Sequence, residues 1–393
     1  MKWEKVAIKD ICTGIYDGPH ATPPLSDTGA IFLGISNFNN GRLDFSDIRY
    51  ISEDDLPKWT KRVIPQKNDI VFSYEATLNL YAIIPEGFRG CLGRRMALLR
   101  VDETKADYKF LYYYFYSDAW RATVNENIVL GATVDRIPLI KFPDFPVELP
   151  PLETQHRIAD ILSAYDDLIE NNQKQIKLLE EAAQRLYKEW FVDLRFPGHE
   201  NMEIVDGVPE GWNEKTLSQI ADVIMGQSPK SEFYNSEKKG LPFHQGVGSY
   251  GVRFVMDDIY STSYTRIAEP NSILFSVRAP VGRLNITKNK VVIGRGLAAI
   301  NQTDGCQSYL YYLLKNKFFK DNIVGNGSIF ASVSKDELLN QKFLIPERNL
   351  MMQFEKIVSQ MDKQIENLDS KNKKLIEARD RLLPKLMSGE VEV

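Results

Sequence analysis

Two stretches of the sequence are rich in arginine and lysine and contain no acidic residue. The first runs from Phe88 to Arg100 and the second from Ser276 to Arg295. Cationic side chains without carboxylate neighbours favour phosphate groups, and arginine also binds guanine bidentately in the major groove of DNA. A single arginine of this kind is as consistent with ordinary surface charge, but the recurrence of the tract favours binding. The candidate DNA-binding residues are Arg89, Arg94 and Arg95 in the first tract and Arg278, Arg283, Lys288, Lys290 and Arg295 in the second.

Two turn-rich segments, 131–135 and 325–329, form a second set of candidates. Small residues let a backbone approach a groove closely, and hydroxyl or amide groups can contact phosphate or base. The contacts would come from Thr133, Asn326 and Ser328, although these residues are equally typical of plain turns. The tyrosine runs at 112–114 and 311–312 are more typical of a core than of a surface that stacks on bases.

No arrangement of residues in the sequence is typical of a catalytic or metal site. The motifs GxxxxGK[ST], HExxH and GxSxG are absent, as is the Asn-Pro-Pro-aromatic motif of amino-methyltransferases. Cys12, Cys91 and Cys306 are odd in number and far apart, which argues against disulfides and paired metal ligands. The four histidines are also scattered. We therefore expect no catalytic residue, no metal site and no cofactor bound by this chain.

The composition is that of a soluble protein large enough for two globular cores. The chain has 393 residues, of which 43% are hydrophobic and 26% charged. These values exclude a disordered or collagen-like chain. No apolar run approaches the roughly 20 residues that a membrane-spanning helix needs, and the first residues do not form a signal peptide. We expect a cytoplasmic protein.

The chain repeats itself at an offset of 196 residues (357 − 161 = 196), which aligns Ile161 with Ile357. At this offset Asp166 and Glu170, among others, meet identical residues in the second copy. The repeat is much longer than a solenoid period, so it predicts two domains with related tasks. Their strands and short aromatic helices are predicted in the same order. The strands lie at 30–35, 68–73, 96–101, 271–276 and 294–300, and the aromatic helices at 110–115 and 309–313.

Each globular part leads into a long helix with a heptad repeat. Two seams of matching length favour the helices packing on each other, although a solvated helix packed on its own domain is the simpler alternative. Antiparallel helices of roughly 55 Å would hold the globular parts at a fixed separation. The predicted seam is Ile158, Tyr165, Asn172, Leu179 and Leu186 with Ile161, Leu168, Gln175 and Ala182 between them, and Phe354, Met361, Leu368, Leu375 and Leu382 with Ile357, Gln364, Lys371 and Ala378 between them.

These features together resemble the specificity subunits of type I restriction-modification systems, over essentially the whole chain. The resemblance rests on the tandem order of variable domain and long helix and on four segments with characteristic sequences. They are LPPLETQHRI at 149–158, DDLIENN at 166–172, LYKEWF at 186–191 and RLLPKLMSGE at 381–390. The second helix departs from the pattern at its entry, 346–353, which lacks the double proline.

The resemblance implies an α+β chain with two tandem mixed α/β target-recognition domains, separated by two long helices that form an antiparallel coiled coil. The internal repeat is then a pseudo-two-fold repeat. The assigned segments are 1–150 for the first target-recognition domain, 151–195 for the central conserved helix, 196–345 for the second target-recognition domain and 346–393 for the C-terminal conserved helix.

In that family each domain reads one half of a bipartite, asymmetric site in double-stranded DNA, and the helices set the spacer. Two methyltransferase subunits dock along the helices and methylate adenine with S-adenosylmethionine, and motor-nuclease subunits, with ATP and Mg²⁺, cut unmodified DNA. The resemblance implies a non-catalytic recognition and assembly subunit whose seam residues also serve partner docking. The alternatives are a coiled-coil scaffold that does not act on DNA and a stand-alone DNA-modifying enzyme.

Overall fold

The computed structural model of the chain describes residues 3–131, 134–318 and 332–393. Its contacts divide the chain into two compact units. Unit 1 comprises Met1–Asn172 with Ser370–Val393, and unit 2 comprises Gln173–Asp369. Each unit therefore contains one globular part and a portion of both long helices. This division by contacts differs from the sequential segments assigned above, because each helix packs partly in one unit and partly in the other.

Unit 1 begins with a strand that follows Trp3. Two of its short helices start at side chains that accept a backbone N–H: Asp107 accepts from Phe110, and Ser117 accepts from Trp120. The strands are β1 (Glu4–Ala7), β2 (Cys12–Asp17), β3 (Ala30–Leu33), β4 (Phe38–Asn39), β5 (Arg42–Leu43), β6 (Tyr50–Ile51), β7 (Ile70–Ser73), β8 (Tyr81–Ile83), β9 (Gly90–Leu92), β10 (Met96–Val101) and β11 (Pro146–Leu149). The helices are α1 (Leu56–Trp59), α2 (Tyr108–Tyr114), α3 (Asp118–Asn127) and the first part of α4 (Leu152–Phe191).

Unit 2 repeats the main elements of unit 1 in the same order after the second part of α4. Its strands are β12 (Ile204–Val205), β13 (Val208–Pro209), β14 (Asn213–Thr216), β15 (Ala221–Met225), β16 (Tyr234–Asn235), β17 (Leu241–His244), β18 (Tyr260–Ser261), β19 (Ile267–Ala268), β20 (Ile273–Ser276), β21 (Leu284–Ile286), β22 (Val291–Ile293), β23 (Leu297–Gln302) and β24 (Lys342–Ile345). Its helices are α5 (Leu217–Ile220), α6 (Gln307–Phe318), α7 (Lys335–Leu339) and the first part of α8 (Arg348–Met387).

The sheets show the same repeat. A four-stranded antiparallel sheet has the order β2-β10-β7-β8 in unit 1 and β15-β23-β20-β21 in unit 2. The entry strand pairs with the strand before the long helix in both units, as β1 with β11 and β14 with β24. One parallel pair also recurs, as β3 with β9 and β17 with β22. The predicted α+β fold with a tandem repeat is confirmed.

The aromatic helices form part of the core of their own unit. In α2, Tyr112, Tyr113 and Tyr114 are at most 8% exposed, and in α6 Tyr311 and Tyr312 are at most 5% exposed. Burying one such side chain contributes roughly 1.5–3 kcal/mol. These tyrosines therefore stabilise the domains, as the sequence favoured, and present no ring to a base.

The two long helices pack against each other antiparallel within each unit. In unit 1, Asn172 contacts Asn372 at 2.7 Å and Asp166 contacts Arg379 at 2.5 Å, so residues earlier in α4 meet residues later in α8. In unit 2, the rings of Tyr187 and Phe354 lie 5.9 Å apart. Packing between the helices is the arrangement that the matching seams favoured.

The buried face differs from the predicted seam in one of its two series. Residues 158, 165, 172, 179 and 186 face inward or are half-buried, but the intervening inward positions are one residue later than predicted. Leu168 is 51% exposed and Ile357 is 41% exposed, whereas the neighbouring Ile169 and Val358 are buried. The spacing is therefore four residues and then three, because this choice keeps Gln175, Gln364 and Lys371 in solvent and places Leu162, Ile169, Ile176 and Ala183 inside.

Candidate nucleic-acid interface

One edge of each globular part is formed where two parallel strands end side by side. In unit 1 the strands β3 and β9 end at Leu33 and Leu92, and the Gly93 amide donates to the Leu33 carbonyl at 2.7 Å. In unit 2 the Gly294 amide donates to the His244 carbonyl at 2.8 Å in the same way. Gly93 and Gly294 are thus structurally equivalent, and so are the residues that follow them.

An exposed arginine follows each of these glycines, Arg94 in unit 1 and Arg295 in unit 2. The described residues include no carboxylate that pairs with either guanidinium. Arginine without an acidic neighbour keeps its full charge and its donors for an external anion. The two copies therefore present an unpaired arginine at the same place.

A third segment joins this edge in both units. In unit 1 the Tyr74 amide donates to the Arg95 carbonyl at 3.2 Å, and the Tyr74 carbonyl accepts from Ile137 at 2.8 Å. In unit 2 the Val277 amide donates to the Gly296 carbonyl at 2.9 Å, and its carbonyl accepts from Val333 at 2.8 Å. Residues 93–95 in unit 1 and 294–296 in unit 2, here called the arginine loop, are thus linked through this third segment to Ile137 and Val333, respectively.

The candidates in the turn-rich segments, Thr133, Asn326 and Ser328, lie outside the described residues. Arg278 directly follows Val277, so it lies at the same edge of unit 2, where it is exposed and bridges to Ser332 through the backbone. No described carboxylate pairs with the Arg278 side chain. Arg278, Arg94 and Arg295 are the predicted cations that the structure leaves available.

Three further predicted cations, Arg89, Arg95 and Lys290, have acidic partners. Arg89 pairs with Glu53, Arg95 Nε lies 3.3 Å from Glu75, and Lys290 Nζ lies 3.0 Å from Glu269. The hydrogen bond from Arg89 holds the pKa of the Glu53 carboxyl below its usual value. Such exposed pairs contribute little to stability, but they reduce the charge that is presented to a ligand.

The basic tracts are therefore not continuous surfaces. The strands β9 and β22 are completely buried, and they separate Arg89 and Lys290 at one end from Arg94 and Arg295 at the other. The side chain of Lys288 pairs with helix α8, since its Nζ lies 2.6 Å from Asp369. The same atom lies 4.4 Å from the centre of the Phe254 ring. Arg283 lines a different cleft, beside Tyr250 and Asn285.

One further arginine belongs to the edge of unit 1. Arg49 lies just before β6, far from the basic tract in sequence, and its guanidinium stands 5.0 Å above the centre of the Phe32 ring. A cleft of about 310 Å³ brings its side chain together with Thr22, Ser36, Arg94 and Arg95. Arg49 is not among the residues predicted from the sequence, because a single arginine between acidic residues carries no local signal.

Each globular part is fixed to the helices by one aspartate of the repeat. In unit 1, Asp166 accepts from the Tyr113 hydroxyl at 2.6 Å, and burial together with this charge raises the pKa of Tyr113. In unit 2, the equivalent Asp362 accepts from Arg253 at 2.6 Å, and Arg253 also donates to the Tyr312 hydroxyl at 3.3 Å. A partly buried charged contact of this kind orients the domain on its helix.

Other chemistry finds no support in the described parts of the chain. Within 3–131, 134–318 and 332–393, no cluster of three histidine, cysteine or acidic side chains could hold a metal ion. Cys12, Cys91 and Cys306 are free thiols. In the same three ranges, no helix is both long and apolar enough to cross a bilayer.

The fold and this edge define a protein in which one α/β module with a cationic loop occurs twice, each copy followed by a long helix. The family model described as type I restriction modification DNA specificity domain matches the chain twice, over residues 1–181 and 209–378. The chain therefore belongs to this family, as the resemblance in its sequence indicated.

Individual relatives are similar to this chain over most or all of its length. The chain is 29% identical over 410 residues to a putative type I restriction enzyme MjaX specificity subunit of Methanocaldococcus jannaschii, with 100% of this chain and 94% of the relative covered. The MjaIX specificity subunit of the same organism is 26% identical over 367 residues, covering 88% and 82%. The solved type I restriction-modification S subunit of M. genitalium shares the fold, with a TM-score of 0.61, 19% identity and coverage of 98% and 96%.

Proposed function

We propose that this chain is the DNA-specificity subunit of a type I restriction-modification complex, in which each globular part reads one half of a bipartite, asymmetric site in double-stranded DNA. One observation carries this proposal: an unpaired arginine follows the same glycine in both units, at Arg94 and Arg295, whereas its neighbours differ. A repeated cation supplies the same phosphate or guanine contact twice, and different neighbours supply different sequence preferences.

The chain itself performs no chemistry in this proposal. Its relatives are named as specificity subunits of restriction enzymes, so we assign methylation to two methyltransferase subunits and cleavage to motor-nuclease subunits. S-adenosylmethionine, ATP and Mg²⁺ then bind only to those partners, and the complex works in the cytoplasm, where its DNA is. The exposed face of the helices, including Leu168 and Ile357, is available for docking the methyltransferase subunits.

The helices set the spacer between the two half-sites. Both are continuous over 40 residues, which corresponds to roughly 60 Å at about 1.5 Å per residue. Joining two readers through a stiff connection makes the second binding event effectively intramolecular, so two modest half-site affinities combine into one specific interaction.

Methylation mapping tests this function. Genomic DNA of cells that contain the methyltransferase partner is sequenced for modified adenine with and without this chain. We expect a bipartite motif with a fixed spacer only when the chain is present. Methylation that does not depend on the chain, or a continuous motif, would contradict the proposal. Methylation or cleavage by the purified chain alone would instead favour a stand-alone enzyme.

A further inference from the structure

The two units place different residues at one equivalent position beside the arginine loop. The parallel strand β3 ends at Leu33 in unit 1, and the equivalent strand β17 ends at His244 in unit 2. The carbonyls of these two residues accept hydrogen bonds from the equivalent amides of Gly93 and Gly294. The position directly after the strand is therefore Gly34 in unit 1 and Gln245 in unit 2. The neighbouring antiparallel strand confirms this register. The Phe32 amide donates to Arg49 at 2.8 Å, and the Phe243 amide donates to Ile259 at 2.7 Å.

In unit 1 the missing side chain of Gly34 leaves room for an arginine. A Cβ atom added to Gly34 would collide with Nη2 of Arg49. The guanidinium therefore fills the place that the side chain of residue 34 would take, supported on its other face by the Phe32 ring. No described residue accepts a hydrogen bond from the Arg49 guanidinium, so its donors remain for a ligand.

In unit 2 the same place is taken by Gln245, and the position equivalent to Arg49 is the apolar Ile259. The Gln245 side chain is exposed, and its Oε1 accepts a hydrogen bond from the Ser228 hydroxyl at 2.8 Å. The Arg295 amide donates to the same Ser228 oxygen at 3.2 Å. Ser228 thus fixes the amide of Gln245 beside the arginine loop.

The glycines of the loop make this arrangement possible. A Cβ atom at Gly294 would lie 2.6 Å from Oε1 of Gln245, and one at Gly296 would lie 2.5 Å from its carbonyl oxygen. Larger residues at either position would displace Gln245. In unit 1 the residue equivalent to Gly296 is Arg95, which turns to Glu75 instead.

We propose that Arg49 and Gln245 are specificity-determining residues, and that Arg49 reads a guanine in one half-site while Gln245 reads an adenine in the other. This inference rests on the proposed function. The two donors of a guanidinium match O6 and N7 of guanine. The donor and acceptor of a glutamine amide match N7 and N6 of adenine, and Oε1 of Gln245 keeps a second lone pair beside Ser228. Ser228 is a positioning residue.

The experiment uses the complete complex in cells and reads the methylated motif by sequencing. In Gln245→Ala we expect relaxed discrimination at one adenine of one half-site, other than the adenine that is methylated. The preference should fall by on the order of 10- to 100-fold, as for a lost bidentate contact. In Arg49→Ala the same loss is expected at one guanine of the other half-site. Gln245→Arg should shift the preferred base from adenine to guanine.

Matched controls use the same residue types away from this edge. Gln66→Ala and Arg121→Ala remove exposed side chains of unit 1 and should leave the motif unchanged. Thermal unfolding of each variant shows whether it is folded, since exposed substitutions change stability by about 0.5 kcal/mol or less. Ser228→Ala should weaken the adenine preference without abolishing it, and Ser228→Thr should restore it.

Two failures can be told apart. If the wild-type complex produces no bipartite motif, the proposed function is wrong. If the wild type produces one, but folded Gln245 and Arg49 variants leave every position unchanged, only the assignment of these residues is wrong. Changes confined to the same half-site in both variants, or an equal loss at all positions, would also overturn the assignment.

Discussion

The Asn172 amide donates a hydrogen bond to Oδ1 of Asn372 at 2.7 Å inside the helix seam of unit 1. Asn372 also donates to the Ile169 carbonyl at 3.4 Å, and the two asparagines are 9% and 6% exposed. At the repeat offset of 196 residues their counterparts are Leu368 and Ile176, which belong to an apolar cluster of unit 2. A buried polar pair in only one half of the seam fixes which residues of the two helices meet.

Changing one member of this pair should destabilise the protein more than changing both. Asn372→Leu leaves the Asn172 amide buried without its partner, which costs about 1–3 kcal/mol. The double variant Asn172→Leu with Asn372→Leu should recover most of this loss, because two apolar side chains can pack together. The free energy of unfolding in urea measures both effects. Gln175→Leu, an exposed position on the same helix, is the control and should change stability little. Equal losses in the single and double variants would contradict the pairing.

Replacing an unpaired arginine at the domain edge should weaken contact with one half-site only. We expect Arg94→Ala and Arg278→Ala to affect opposite halves of the footprint, and Arg295→Ala to affect the same half as Arg278→Ala. Each loss should reduce the slope of log affinity against log salt by roughly one unit if the arginine contacts phosphate. Arg89→Ala is the matched control, because Arg89 already pairs with Glu53. A footprint reduced equally over both halves would reject the division of labour between the units.

Local sequence patterns predicted the frame of the fold well. The strands at Ile70–Ser73 and Met96–Val101 and the aromatic helix Tyr108–Tyr114 lie where hydrophobic runs and turn residues indicated. The prediction of the seam was wrong in one of its two series because some of its positions adjoin a second apolar residue. Ile161 is followed by Leu162, and Leu168 is followed by Ile169. Hydrophobicity alone cannot decide which of two adjacent apolar residues faces the partner helix.

The site was only partly accessible from the sequence, because pairing depends on distant residues. Lys288 looked like a member of a basic tract, yet its partner Asp369 lies on α8 and is brought close only by folding. Arg49 was missed for the converse reason, since the pairing of β6 with β3 brings this preceding residue next to Gly34. The recurrence of the basic tract in both copies identified Arg94 and Arg295, which occupy equivalent positions of the backbone.

The three cysteine thiols should react slowly with thiol reagents in the folded protein. Their ionisation at alkaline pH should lower the free energy of unfolding. Burial raises the pKa of Cys12 and of Cys91 from 9.0 to about 12, and burial with nearby Glu355 and Asp304 raises that of Cys306 to about 11. Thiolate is the reactive form, so a thiol reagent at pH 8 should react on the order of a hundredfold more slowly than with the unfolded chain.

The sign of the pH effect follows from the same shifts. Unfolded thiols release their protons near pH 9, whereas the folded ones hold them to about 11–12, so the stabilisation is complete below the unfolded pKa. It is lost as the pH rises from about 9 towards 12. Unfolding temperatures at pH 7, 9 and 10 measure this, and Cys91→Ala with Cys306→Ala serves as the control for reduced sensitivity. Rapid labelling of all three thiols in the folded state would contradict the burial.

Lengthening the helices should lengthen the spacer of the DNA site. Four residues inserted after Gln173 in α4 and four after Lys371 in α8 add about 6 Å and slightly more than one turn to each helix, which nearly preserves the inward face. At about 3.4 Å per base pair, we expect the preferred spacer to grow by roughly one or two base pairs. Methylation mapping should show the longer spacer between unchanged half-sites.

Four residues inserted after the exposed Gly198, outside both helices, form the control and should leave the spacer as it is. Half-sites with altered bases, or a spacer that does not follow the insertion, would show that the helices do not measure the distance between the two halves.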